Sequence, residues 1–559
     1  MAPPPANPPL DRDGGDPREE RRYRPRCVEP NLLREVVRRE LETFLARAAA
    51  RERTVPRFVA RELQAFLRCG VLAHGFVRVH CDACGLDRAV PFSCKGRGFC
   101  PSCGGRRMAE TAAHLVERVF PEVPVRQWVL SLPFALRYRL AYDASLTSAV
   151  LALFVRTVFA SLRRRARVRL GTLRAQGGAV TFVQRFGDAL NLNVHFHSLV
   201  IDGVYTRNPE GALRFRPLPP PDDAEVARVA RVVARRVARL LERRGLVDSA
   251  GPRDQDALAQ DEPLLAEIAA ASVAGRVATG RRAGARVVRI GDRIDAEDLP
   301  RLVGERCASV GGVSVHANVA VPARDRRRLE RLCRYVARPA LAAERLSRRA
   351  DGRLLYRLKH RWRDGTTHLL FEPAELVEKL AALVPPPRVH GARYHGVFAP
   401  CARARPRVVP GSVVRGVASE RTHAHGTGDA PRAIPAHDTA TPAPREHGAR
   451  AEAPPDGEAE GARGLAHATA HSSSGNLLDD ATPVATHAKR TPWAELLRRV
   501  FAIDVLACPR CGARTRVISA HLPPEAAEAI LGCLGLPARA PPPAPARHDE
   551  LEPEDANDG

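Results

Sequence analysis

A chain of 559 residues is too long for one compact core, so about two to four domains with linkers are expected. A composition 44% hydrophobic and 27% charged supports buried cores, while 48 prolines and 5% aromatics mark stretches that do not fold. The net charge of +25 favours polyanions, nucleic acid first among them. The first 26 residues are rich in Pro, Arg and Asp without an apolar run, which argues against a secretory signal, and no stretch approaches about 18 uncharged apolar residues, which argues against a membrane span. Thirteen cysteines, several in C-x-x-C pairs, then point to metal ligands in a reducing, cytoplasmic setting and away from disulfides.

Along the chain, residues 1–28 are expected to be disordered. Leu32, Val36, Leu41 and Leu45, then Val59, Leu63, Phe66 and Leu67, repeat at helical spacing and predict two helices. Residues 69–108 hold six of the thirteen cysteines and have the turn-rich character of a metal module, so 29–108 form an N-terminal helical and zinc-binding domain. Within 109–401, the patterns predict a strand at Trp128–Leu132 and a helix at Ser145–Arg164. Two strands, Ala179–Phe186 and Leu190–Tyr205, follow, joined by a tight turn at Gly187-Asp188. Helical segments at 223–245 and 256–280 lead to a short strand in Val313–Val321 and a helix at Arg327–Arg338, stopped by Pro339. Strands at Leu354–Leu358 and Thr367–Phe371 and a helix at Pro373–Leu383 complete this part. Residues 402–490 contain no Phe, Tyr, Trp, Cys or Met and are expected to be a disordered linker. A small unit at 491–536 and a disordered tail at 537–559 end the chain.

Cys81-Asp-Ala-Cys84 and Cys100-Pro-Ser-Cys103 are two C-x-x-C knuckles separated by 15 residues, and four thiolates at this spacing predict one tetrahedral zinc site. Cys69, His74 and Cys94 lie close enough in sequence to build a second site, or Cys69 and Cys94 are small buried residues. Cys508-Pro-Arg-Cys511 is half a knuckle whose partners could be His521 and Cys533. Arg97, Arg106 and Arg107 beside the knuckles are candidates to meet phosphate.

Asn191-Leu-Asn193-Val-His195-Phe-His197 alternates apolar with polar side chains. In a strand, His195 and His197 then share one face and can grip one divalent ion, while Leu192, Val194 and Phe196 enter a core. Gln184, eleven residues earlier on the preceding strand, is a candidate third ligand. A second His-x-His, His423 and His425, has no strand to support it.

Three blocks in order now resemble a known family. They are Ser93-Cys-Lys-Gly-Arg-Gly-Phe-Cys-Pro-Ser-Cys103, Leu190-Asn-Leu-Asn-Val-His-Phe-His197, and Arg334-Tyr-Val-Ala-Arg-Pro339 with Trp362-Arg-Asp-Gly-Thr-Thr-His368 downstream. The chain resembles HUH-type rolling-circle insertion-sequence transposases, of the insertion-sequence-ninety-one kind. The resemblance covers roughly residues 30–400 and Phe501–Cys511. It implies an α+β catalytic domain at 109–401, a central antiparallel sheet with helices on one face. It further implies that His195 and His197 hold magnesium or manganese, and that Tyr335 attacks a DNA phosphodiester to give a 5′-phosphotyrosine link. Arg334 and Arg338 beside it become candidate DNA contacts. Two-tyrosine relatives carry tyrosines four residues apart on this helix, and the position four before Tyr335 is Arg331, so the chain resembles a single-tyrosine variant. Tyr356 and Tyr394 are outside candidates. A phenol with an ordinary pKa of about 10 is a weak nucleophile at neutral pH, so a metal that neutralises the phosphate is chemically apt. The implied function is nicking and rejoining of single-stranded DNA at mobile-element ends, in the cytoplasm with the nucleoid. A non-catalytic zinc-dependent DNA-binding protein or degenerate transposase, and a zinc hydrolase, are the rivals. No Gly-Lys pair of a P-loop occurs, so strand separation falls to a host helicase, replication or supercoiling.

Overall fold

The computed structural model describes residues 31–172, 174–246, 257–291, 304–362, 364–410, 494–495, 498, 504–522 and 525–547. The expected disorder at 1–28, most of the 402–490 linker with its His423 and His425, and the last twelve residues of the tail lie outside them.

Asn31 caps α1 (Leu32–Ala50) by accepting from the Arg34 amide at 3.2 Å, and Leu33, Val37, Leu41 and Phe44 form its buried stripe. The stripe packs on α2 (Arg57–Arg68). Strands β1 (Phe76–His80) and β2 (Asp87–Pro91) form a hairpin, and α3 (Pro101–Arg118) starts directly after Cys100, with proline at its first position.

The central sheet begins with β3 (Val125–Ser131). It is followed by α4 (Phe134–Tyr142) and α5 (Ala144–Leu170), which Asp143 caps and Gly171 ends at φ +64°. Among the described helices α5 alone is long and apolar enough to cross a membrane; here Leu146, Val150, Phe154 and Val158 pack it into the core. Strands β4 (Gly178–Phe186) and β5 (Leu192–Ile201) pair antiparallel, and β6 (Gly203–Arg207) and β7 (Leu213–Pro217) make a side hairpin. Helices α6 (Asp223–Arg243), α7 (Ala257–Asp261) and α8 (Pro263–Ala274) precede short strands β8 (Val288–Gly291), β9 (Cys307–Val310), β10 (Val313–His316) and β11 (Ala320–Val321). Then come α9 (Arg326–Val336), β12 (Leu346–Arg348), β13 (Leu354–Arg357), β14 (Thr366–Phe371), α10 (Pro373–Leu383), β15 (Ala392–Gly396) and α11 (Arg405–Val408). Strand β16 (Arg516–His521) and α12 (Glu525–Cys533) lie in the C-terminal unit.

The fold is α+β, and its central sheet is antiparallel throughout in the order β15-β4-β5-β3-β10-β9, with β11 also on β3. Period-2 alternation divides its side chains. Trp128, Leu130, Val194 and Phe196 meet α4, α5, α6 and α8, while Val125, Phe182, Leu199 and Ile201 meet α3 and α9. Helices therefore cover the histidine-bearing face, as expected, and the opposite face too. A third core joins α1, α2, α8 and α10 to the sheet β12-β13-β14-β8, so the N-terminal helices share a body with residues 341–384.

Three boundaries differ from expectation. The turn between β4 and β5 is wider than Gly187-Asp188: the Gly187 amide donates to Asn191 O at 2.9 Å and Leu190 takes φ +55°. The expected strand Leu190–Tyr205 breaks at Asp202, whose buried carboxylate accepts from Arg126 at 2.7 and 2.8 Å. Order also runs further than expected: Ala404, Val408 and Val409 are buried, and Arg547 holds the buried Glu40 of α1.

Candidate active site and cysteine centres

His195 and His197 project from the same face of β5, their ring centroids 4.9 Å apart. His195 Nδ1 donates to Asn193 O at 2.9 Å, which fixes the proton there and leaves Nε2 as a lone pair. The Gln127 amide of β3 lies 2.8 Å from His197 Nδ1. Gln184 of β4 stands opposite His195 in register, and its Nε2 donates to Val336 O at 2.8 Å. That bond ties the end of α9 to the sheet and leaves Gln184 Oε1 buried without a partner; His197 Nε2 is likewise buried and unpartnered. Burial pushes the His195 imidazole down to about 4 and His197 well below its ordinary range, so both rings are neutral near neutral pH, the state in which imidazole ligates.

Helix α9 is held at both ends. At its start Asp325 caps it by accepting from the Arg328 amide at 2.9 Å, and Arg326 donates to Val116 O in the last turn of α3 and to Phe120 O just beyond it at 2.8 Å. Leu329, Leu332, Cys333 and Val336 bury one stripe against α3. This anchoring sets Tyr335 edge-on to His197, with ring centroids 6.0 Å apart. The Arg338 guanidinium lies 4.6 Å from the Tyr335 ring centre and Lys359 Nζ 4.8 Å from it. Arg338, just past the helix end, also faces Asp188 at 3.7 Å and the Phe186 ring. Burial and the nearby Arg338 charge lower the Lys359 pKa.

Lys359 and Gln127 were not picked out by the sequence reading. Lysine is rare in a chain that uses arginine almost everywhere, and that contrast was the one signal available for Lys359. Of the other expected contacts, Arg334 is paired with Glu330 at 3.0 Å, Arg97 donates to Val389 O, Arg107 donates to Lys95 O at 3.1 Å, and Arg97, Arg106 and Arg107 are exposed. The other tyrosines lie elsewhere: Tyr356 is buried in the third core, and Tyr394 sits on the edge strand β15 against Arg405.

The cysteines correct the expected single site. Cys69, Cys94, Cys100 and Cys103 form one quartet, and Cys81, Cys84, Cys508 and Cys511 another, the four sulfurs of each within 4.8 Å of one another. The reason is the β1–β2 hairpin. Its base is fixed where the Gly70 amide donates to Phe92 O at 2.9 Å, which brings Cys69 and Cys94 to the start of α3. Cys81 and Cys84 sit at its tip, a strand length of about 15 Å away. His74 joins neither quartet, His521 packs on the Phe76 ring, and Cys533 is exposed on α12.

Comparison with known families fits this layout. Residues 36–132 match a family model described as "Transposase zinc-binding domain", and residues 178–405 match one described as "Putative transposase". No curated protein and no solved structure matches the chain. The first quartet falls within the zinc-binding match, which supports structural zinc there. A zinc-binding domain followed by a transposase domain is the arrangement of an IS91-type transposase, and the two matches fit the chain to that type.

Proposed function

We propose that the protein nicks and rejoins single-stranded DNA at mobile-element ends, with Tyr335 as nucleophile and His195 and His197 as ligands of a divalent cation. The observation that carries this is the 6.0 Å approach of the Tyr335 ring to His197, beside two buried polar atoms, Gln184 Oε1 and His197 Nε2, left without partners. The donor set fits such an ion: two neutral imidazoles and the Gln184 oxygen, whose amide is already oriented by Val336 O. Imidazole makes manganese competitive with magnesium. For His197 Nε2 to ligate, its ring proton must sit on Nδ1 and be donated to the Gln127 oxygen, which one turn of that amide provides.

A bound magnesium or manganese ion would neutralise the scissile phosphate and orient it for in-line displacement. Tyr335 Oη forms the new P–O bond, its proton passes to solvent, and the P–O3′ bond breaks to leave a protonated 3′-hydroxyl. The phosphotyrosine ester retains the bond energy, so another strand's 3′-hydroxyl reverses the step without ATP. Arg338 and Lys359, the cations nearest the ring, meet the phosphate oxygens as charge shifts onto them. Arg97, Arg106 and Arg107 hold flanking phosphates, and a host helicase or replication fork supplies the single strand.

Incubation of the protein with a labelled single-stranded element end and manganese should yield a covalent adduct resistant to denaturant. Tyr335→Phe should abolish it while DNA affinity is retained. Tight binding without any adduct in the unsubstituted protein would mean a non-catalytic DNA-binding protein and refute the proposal.

A further inference from the structure

We infer that Cys81, Cys84, Cys508 and Cys511 bind a second zinc ion, which clasps the C-terminal unit to the N-terminal hairpin. Cys508 and Cys511 lie outside both matched regions. Cys81 Sγ is 3.6 Å from Cys511 Sγ, and Cys84 Sγ is 3.5 Å from Cys508 Sγ, across 430 and 424 residues of chain. Four thiolates around zinc at about 2.3 Å form a tetrahedron with sulfur–sulfur edges of about 3.8 Å, whereas a disulfide needs about 2.05 Å. The observed spacing matches the first.

The backbone of the two knuckles repeats the same bonds. The Gly85 amide donates to Cys81 O at 2.8 Å and the Gly512 amide to Cys508 O at 2.9 Å. The Cys81 amide donates to Leu86 O at 3.0 Å and the Cys508 amide to Ala513 O at 2.7 Å. Both glycines hold positive φ, +69° and +76°, the conformation that lets the turn close behind the second cysteine. Two turns of the same shape, meeting sulfur to sulfur, make a built site and not a chance gathering of thiols.

Among the described residues, the unit that carries this site has few other contacts to hold it. Strand β16 pairs with β1, Arg516 reaches both oxygens of Asp82 at 2.9 and 3.0 Å, and Arg88 donates to Val505 O at 2.8 Å. Among the described residues its hydrophobic cluster has only Phe76, Ala527 and Leu531 fully buried. A core that small does not hold a fold by itself, and a structural metal is the usual staple.

Zinc content of the full-length protein tests this: two ions per chain are expected, one per quartet, and one in the double variant Cys508→Ser/Cys511→Ser. Alkylation mapped by mass spectrometry needs no variant. Cys511 is exposed, as are Cys401 and Cys533. In the zinc-loaded protein Cys511 should react at least about tenfold more slowly than those two, and should catch up once a chelator is added. One zinc per chain in the unsubstituted protein, or Cys511 alkylated as fast as Cys533, would overturn the inference.

Discussion

Gln127→Leu isolates the support of the proposed metal ligand His197. Gln127 is 4% exposed, and its amide lies 2.8 Å from His197 Nδ1. Leucine fills similar volume but neither donates nor accepts, so the ring loses its orientation and its tautomer is no longer fixed. Loss of such an outer contact costs about 10–100-fold in metal affinity, or about 1.4–2.7 kcal/mol. Leaving Nδ1 buried without a partner costs stability of about 1–3 kcal/mol besides. Adduct formation titrated with manganese is the assay. The half-saturating concentration should rise about 10–100-fold, with the maximal rate largely recovered at saturation. Gln127→Glu separates tautomers: a carboxylate only accepts, fixes the proton on Nδ1 and frees Nε2, so this variant should match or better the unsubstituted protein. An unchanged half-saturation in Gln127→Leu, or a Gln127→Glu protein as weak as Gln127→Leu, refutes the assignment.

Lys359→Ala should slow adduct formation about 100-fold while leaving DNA affinity within about twofold, because its charge lies beside the ring of the proposed nucleophile; a loss of affinity at an unchanged single-turnover rate would contradict it. Acidification should destabilise the metal-free protein. Burial holds His195 and His395 at about 4 in the folded chain, against about 6.5 when unfolded, so the unfolded chain takes up protons first. The contribution of these two histidines is then full above about 6.5 and is lost as pH falls from there through about 4. Urea midpoints between these limits should show this slope, and His395→Asn should flatten it; a midpoint that rises on acidification would refute it. Arg547→Ala leaves the 2% exposed Glu40 without its 2.5 Å partner and should cost about 1–3 kcal/mol of stability, much of it restored by adding Glu40→Gln; urea unfolding measures both.

What could be read in the sequence follows the range of the forces involved. The alternation of Leu192, Val194 and Phe196 with Asn193, His195 and His197 is a property of one strand, and it foretold which side chains share a face. The helix expected at Arg327–Arg338 is α9, and its buried Leu329, Leu332, Cys333 and Val336 fall at helical spacing. Register between strands is different. Gln184 opposite His195 required the length of the β4–β5 turn, and the turn is wider than its Gly187-Asp188 pair suggested. Side chains that come from separate elements leave no local period at all, which is why Gln127 and Lys359 went unseen.

The cysteines show the same limit from another side. A C-x-x-C pair specifies two ligands of one ion because the turn between them is local, and both Cys81-Cys84 and Cys508-Cys511 behave so. Which pair meets which is decided by the hairpin that carries the first and the strand that carries the second. Pairing nearest neighbours in sequence would join Cys81 and Cys84 to Cys100 and Cys103, yet β1 and β2 hold these pairs a full strand length apart. The half-knuckle at Cys508 instead completes the hairpin tip, because β16 adds to β1 and carries its preceding turn there. An incomplete ligand set far along a chain is thus best read together with any strand beside it that lacks a partner. Here the edge of β1 opposite β2 takes β16, and that pairing brings the two half-sites together.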